Sequence, residues 1–207
     1  MGAADASRVD MGGIWLPYPI QSPGVLYLPL LWLEAFMQHI QDNLCSFQQP
    51  AGSVTNSDLE LAGNLAQKDI LAQRVELMES NVAIGTDNWA TVSWRRNFYS
   101  TTPRARACLL KLNSFHQQHY HYLHTYFYVS GPANSMFNKC SRCFDLSDPQ
   151  LLTYFNYTYP KNEWCQMRHL RPIMDSVLIS FLYFKIQLLL EIIPGKNLAT
   201  ICGNNLI

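Results

Sequence analysis

Two kinds of apolar pattern alternate along this chain. Apolar runs at Met11-Gly-Gly-Ile-Trp-Leu16 and at Val25-Leu-Tyr-Leu-Pro-Leu-Leu-Trp-Leu33 predict strands, the second broken by Pro29 and so bulged or at an edge, since proline has no amide hydrogen to give. Helical spacing follows directly, since Phe36, Met37, Ile40 and Leu44 predict a helix over 34–44. A loop at Gln48-Gln-Pro-Ala-Gly-Ser53 separates it from the clearest amphipathic stretch. There, from Asn56 to near Gln73, Leu59, Leu61, Ala62, Leu65, Ala66, Ile70 and Leu71 form one apolar stripe.

Val82-Ala-Ile-Gly-Thr86 reads as a brief strand with Asp87 at its C-terminal edge. Helical turns are expected from Trp89 to Trp94, and again from Pro103 through Ala107, Leu110 and Phe115. Leu123 to Ser130, rich in Tyr, Phe and Thr, predicts another strand, ended by Gly131-Pro132. Asn134 to Arg142 and Asp148 to Tyr159 suit short helices, and 160–172 reads as irregular. With a strand beside Asp5 at the start, the order is three strands, then helix, strand, helix, strand, helix. That order predicts an α/β fold, a mixed five-stranded sheet with helices on its faces. One domain over 1–150 is expected, followed by a partly helical extension over 151–207.

Composition narrows the possibilities. The 207 residues are 48% apolar, enough for one real core, and 15 basic residues balance 15 acidic ones. With no overall basic field, any nucleic-acid binding must come from a local patch. The six cysteines read as free thiols in a reducing compartment. Cys140-Ser-Arg-Cys143 has zinc-knuckle spacing, but no second Cys/His pair stands at a usual distance. The start lacks a basic region followed by an apolar stretch, so an intracellular protein without a secretory signal is expected. The run Val177 to Ile193 is broken by Lys185, Gln187 and Glu191, so it suits a buried or amphipathic helix and no membrane association is expected.

Ser57-Asp58-Leu-Glu60 can be a capping box, with Asp58 complementing the dipole of the helix it opens. Asp5 and Asp87 give these acids another meaning, because each sits among small residues beside a strand, where an Asx-turn is the ordinary alternative. Acids from a strand, a helix and a second strand of one sheet can converge, and a carboxylate cluster then needs cations to offset its repulsion. Magnesium suits it, as a hard ion that takes oxygen ligands and binds phosphates, and two such ions would clamp a phosphodiester.

The quoted stretches resemble the ribonuclease H domain attached to reverse transcriptases of retrotransposons. Asp5-Ala-Ser with Met11-Gly-Gly-Ile-Trp15 is similar to that family's first-strand aspartate and the hairpin after it. Thr55-Asn-Ser-Asp-Leu-Glu60-Leu-Ala resembles its helix motif, and Thr86-Asp87-Asn-Trp-Ala the motif closing its fourth strand. Gly131-Pro-Ala-Asn134-Ser-Met-Phe-Asn138-Lys-Cys-Ser141-Arg142 resembles its last motif, with Phe137-Asn138 where the family has Ala-Asp. The likeness covers about residues 3 to 150. It implies Asp5, Glu60 and Asp87 as catalytic ligands of Mg2+ or Mn2+, two ions if the site is active. Asn138 would be an uncharged fourth ligand, leaving three negative charges in place of four. It further implies an RNA:DNA hybrid as partner, an upstream reverse transcriptase, and a chain that is a fragmentary or decayed copy.

Two clusters remain. His116, His119, His121 and His124 invite a metal, or else line an exposed strand start. Arg95, Arg96, Arg104 and Arg106, with aromatic residues interleaved, form the best local basic patch, either an ordinary solvated helix face or a surface for backbone phosphates.

Overall fold

The computed structural model describes residues 1–17, 29–97, 104–143, 145–160 and 166–168. Three strands, β1 (Gly2–Ala6), β2 (Asp10–Trp15) and β3 (Leu30–Ala35), form an antiparallel meander. β4 (Asn81–Thr86) joins β1 in parallel, and β5 (Leu123–Tyr128) joins β4 in parallel. The expected α/β arrangement of these five strands with helices on the sheet is present. A sixth, β6 (Gln166–Arg168), lies parallel to β3 at the far edge, giving the order β5-β4-β1-β2-β3-β6. It falls in the stretch expected to be irregular, and that expectation is corrected: three residues paired to a neighbouring strand carry too little periodicity to be seen in sequence.

The helices are α1 (Gln38–Gln41), α2 (Asn56–Ala72), α3 (Trp89–Asn97), α4 (Arg104–His119), α5 (Ser135–Cys140) and α6 (Asp148–Thr158), with a 3-10 turn at Gly131–Asn134 before α5. The helix expected over 34–44 shrinks to one turn. Glu34 and Ala35 stay in the sheet, opposite Met11 and Asp10, because ladder pairing to β2 outweighs their helical spacing.

The sheet is covered on both faces. On one, α2 closes over Ala4, Ala6, Met11 and Trp32, with Leu59, Leu61, Leu65 and Leu71 buried against them. On the other, Ile14, Leu31 and Leu33 meet Cys140, Leu151 and Phe155 of α5 and α6. Adjacent glycines in β2 allow both approaches. A Cβ on Gly12 would come within 2.7 Å of the Cys140 backbone, and one on Gly13 within 2.4 Å of Gln67 Oε1. The boundary expected at residue 150 falls inside α6, whose Leu151 and Phe155 pack under the sheet. Among the described residues no helix is long and apolar enough to cross a membrane. Residues 25–28 of the second expected strand and the helix expected over 177–193 lie outside the described residues.

Candidate metal centre

The parallel arrangement of β1, β4 and β5 gathers their C-terminal ends on one edge, the usual place for ligands in open α/β sheets. Asp5 lies near the end of β1, and Asp87 directly follows β4. Glu60 comes from the first turns of α2, which packs across β1. One ligand oxygen from each of Asp5, Glu60 and Asp87 lies within 4.8 Å of the others.

Each acid is fixed by neighbours. Glu60 accepts from the Ala6 amide at Oε1 (3.3 Å) and from the Thr86 hydroxyl at Oε2 (3.2 Å), so it is held between β1 and β4. The Ser141 hydroxyl donates to Asp5 Oδ2. With its NH2 group toward the acid, the Asn138 amide donates to both Asp5 oxygens, at 3.0 and 3.1 Å; the opposite orientation would set its oxygen against the carboxylate. Asp87 is positioned through the turn after it. Asn88 Oδ1 accepts from the Thr91 amide (3.0 Å), opening α3, while Asn88 Nδ2 donates to Ser57 Oγ on α2 (3.0 Å). The turn carrying Asp87 is thereby tied to the helix carrying Glu60.

Such a group is electrostatically tense. Burial raises the Asp5 carboxyl above its ordinary value, opposed by the Ser141 hydrogen bond and reinforced by Asp87. Burial raises Glu60 well above its ordinary value, with Asp5 and Asp87 adding to it. Three hard oxygen donors meet here, Asp5 and Glu60 buried and Asp87 half-buried, and a cation between them would offset their mutual repulsion. A buried acidic triad of this kind can hold a metal ion.

At the start of α2, Asp58 and Glu60 take different partners. The capping box belongs to Thr55 and Asp58, two residues earlier than the Ser57 and Glu60 expected from sequence. Asp58 Oδ2 accepts from the Thr55 amide (2.8 Å), and Asp58 Oδ1 accepts from Arg106 Nε (2.9 Å). Glu60 is thus released for the triad.

The basic patch requires correction. Arg95 is 1% exposed, with Nη2 donating to the Leu61 carbonyl (3.0 Å) and Nη1 to Tyr126 Oη (2.8 Å), and it is closed off from any phosphate. Arg106 is engaged with Asp58 and Thr55 and lies over the Trp94 ring, 4.1 Å from its centroid. Arg96 stays exposed, donating to the Tyr126 carbonyl (3.1 Å). Arg104 begins α4, and its side chain lies outside the described residues. The histidines do not assemble a site. His116 Nε2 meets Asp69 Oδ1 (3.3 Å) and His116 Nδ1 pairs with Tyr122 Oη (2.9 Å), whereas His124 packs on Tyr126. Cys140 and Cys143 are free and buried in the core of the second face.

Sequence reasoning missed Thr86 and Ser141 as partners of the acids. Their signal was position alone: Thr86 immediately precedes Asp87, and Ser141 follows Asn138 by three residues, just past the end of a short helix. Compared with protein-family models, curated proteins and solved structures, the chain gives no match to any of them.

Proposed function

We propose that this chain is a ribonuclease H-like domain of retroelement origin, hydrolysing the RNA strand of RNA:DNA hybrids with Mg2+ or Mn2+. The observation that carries the reading is the convergence of Asp5, Glu60 and Asp87 from a strand, a helix and a second strand within 4.8 Å. The meander followed by two parallel strands agrees with it, as does the order of the four motifs along the chain. A bound divalent ion would supply charge neutralisation at the scissile phosphate and a more acidic water.

The chain's own residues do the rest. Asp5, Glu60 and Asp87 would hold the ion, and Ala6, Thr86 and Ser141 keep two of those carboxylates from turning away. An A-form-like hybrid would be recognised by shape and 2′-hydroxyls rather than by sequence. An upstream reverse transcriptase, expected from the resemblance, would deliver the hybrid.

A second reading is favoured by one observation. The fourth acidic position is Asn138, which approaches Asp5 as a hydrogen-bond donor instead of adding a charge for a second ion. On this reading the chain is a non-catalytic, nucleic-acid-binding remnant of the same fold. Cleavage of a labelled hybrid in Mg2+ and in Mn2+ separates the two, run with the native chain, Asp87→Asn and Asn138→Asp. Native cleavage lost in Asp87→Asn supports the nuclease. Cleavage only after Asn138→Asp identifies a scaffold disabled at one ligand, and no cleavage by any variant removes the enzymatic reading.

A further inference from the structure

Trp89 opens α3 two residues after Asp87, and it is 60% exposed. Its ring lies flat on that of Tyr128, with centroids 4.4 Å apart and 10° between the planes. Tyr128 ends β5 in register with Thr86 of β4, so the pair stands at the same edge of the sheet as the acids. An indole covers 150 Å2 or more when buried, so leaving one in water beside a charged site forgoes a large hydrophobic gain. Tyr128 backs one face of the indole, and 60% of the residue stays in water, surface that a planar partner would cover.

The rest of the exposed face of α3 indicates which partner. Ser93 and Arg96 follow Trp89 at helical spacings of four and seven, and both are exposed. Arg96 therefore lies about 10 Å farther along the same side, a cation one short step from an aromatic plane. An aromatic plane with a cation beside it, at the rim of a triad suited to metal-assisted phosphodiester chemistry, matches a nucleotide better than a peptide. Bases inside a duplex already cover one another's faces, whereas an unpaired base offers its own.

We propose that Trp89, backed by Tyr128, is a stacking platform for an unpaired nucleobase, so that the preferred ligand is a hybrid carrying a single-stranded extension. The choice of hybrid rests on the nuclease reading above; the platform itself rests on the exposed ring pair and Arg96.

Fluorescence anisotropy in Ca2+ tests it, with blunt hybrid, hybrid with a short overhang, and single strand as labelled probes. The native chain should bind the overhanging hybrid more tightly than the blunt one. Trp89→Ala should weaken the overhanging complex about tenfold and leave the blunt one nearly unchanged, while Trp89→Phe keeps most of the preference. Melting curves confirm that the variants are folded, which the exposure of Trp89 favours. Equal binding of the overhanging probe by native chain and Trp89→Ala overturns the platform and leaves the nuclease reading standing. Trp89-dependent binding of single strand here, together with no hybrid cleavage in the Mg2+ and Mn2+ assay, keeps the platform and overturns the nuclease reading. Absence of binding to all three probes overturns both.

Discussion

Asp58 and Glu60 are separated by about 200° of helical rotation, enough to give two acids two positions apart unrelated partners. Asp58 closes the start of α2, and Glu60 is pressed against Asp5 and Asp87, both of which raise its carboxyl further. Glu60→Gln should therefore raise the stability of the metal-free protein at neutral pH while abolishing its stabilisation by millimolar Mg2+, as read from urea melts with and without the cation. Asn138→Asp should do the reverse, because it exchanges a donor facing Asp5 for a fourth negative charge. It should melt lower than the native chain in EDTA and gain more from Mg2+, by about 1–2 kcal/mol at saturation. If Mg2+ shifts neither the native chain nor Asn138→Asp, the triad does not bind metal under these conditions.

The elements explain what sequence could disclose. α2 was legible over nearly its whole length, because its apolar stripe repeats through 17 residues. Its start was not, since Thr55-x-x-Asp58 and Ser57-x-x-Glu60 both match a capping box, and only the place where Arg106 of α4 arrives distinguishes them. The triad itself was legible as three acids beside strand ends and a helix start. Its supports Thr86 and Ser141 were not, Ser141 reaching Asp5 from more than 130 residues away, whereas the last motif placed Asn138 at the site but as a ligand, not as the donor to Asp5 that the geometry gives. Arg95 misled for a related reason: an arginine in an amphipathic helix reads as surface, and the groups that receive it belong to α2 and β5. The cap gives a prediction at this scale. Thr55→Ala should lower stability by about 1 kcal/mol, and Asp58→Asn by somewhat more, since Arg106 also loses its carboxylate. Circular-dichroism melts of both variants beside Arg106→Ala check this; an Asp58→Asn protein as stable as the native chain would deny the box its role.

At the scale of the whole molecule, the core encloses a second charged cluster far from a neat ion pair. Lys68 of α2 and Arg95 of α3 both donate to Asn113 of α4, and both donate to Tyr126 of β5, so one node ties four elements together. Burial holds the Lys68 amine well below its ordinary value, and the neighbouring Arg95 adds to the effect. The unfolded chain keeps that proton up to about pH 10.4, so below this value and above the folded pKa it binds one more proton than the fold. Stability should then rise with pH, by up to about 1.4 kcal/mol per unit. His124, pushed down to about 3 by burial with Lys68 and Arg95 adding, gives the same sign on the acid side of pH 6.5. Asp5 and Glu60 act oppositely. Their raised carboxyls hold protons that the unfolded chain has lost, so their contribution falls as pH rises from about 4 through their folded values. Mg2+ should remove this second slope and leave the first. Urea melts of the native chain and Lys68→Met across pH 6–9, with and without the cation, separate the two. In Mg2+ the native chain should gain stability with pH and Lys68→Met should stay nearly level. Parallel curves for the two proteins would mean that Lys68 titrates alike in the folded and unfolded states, and that the node is wetter than its geometry indicates.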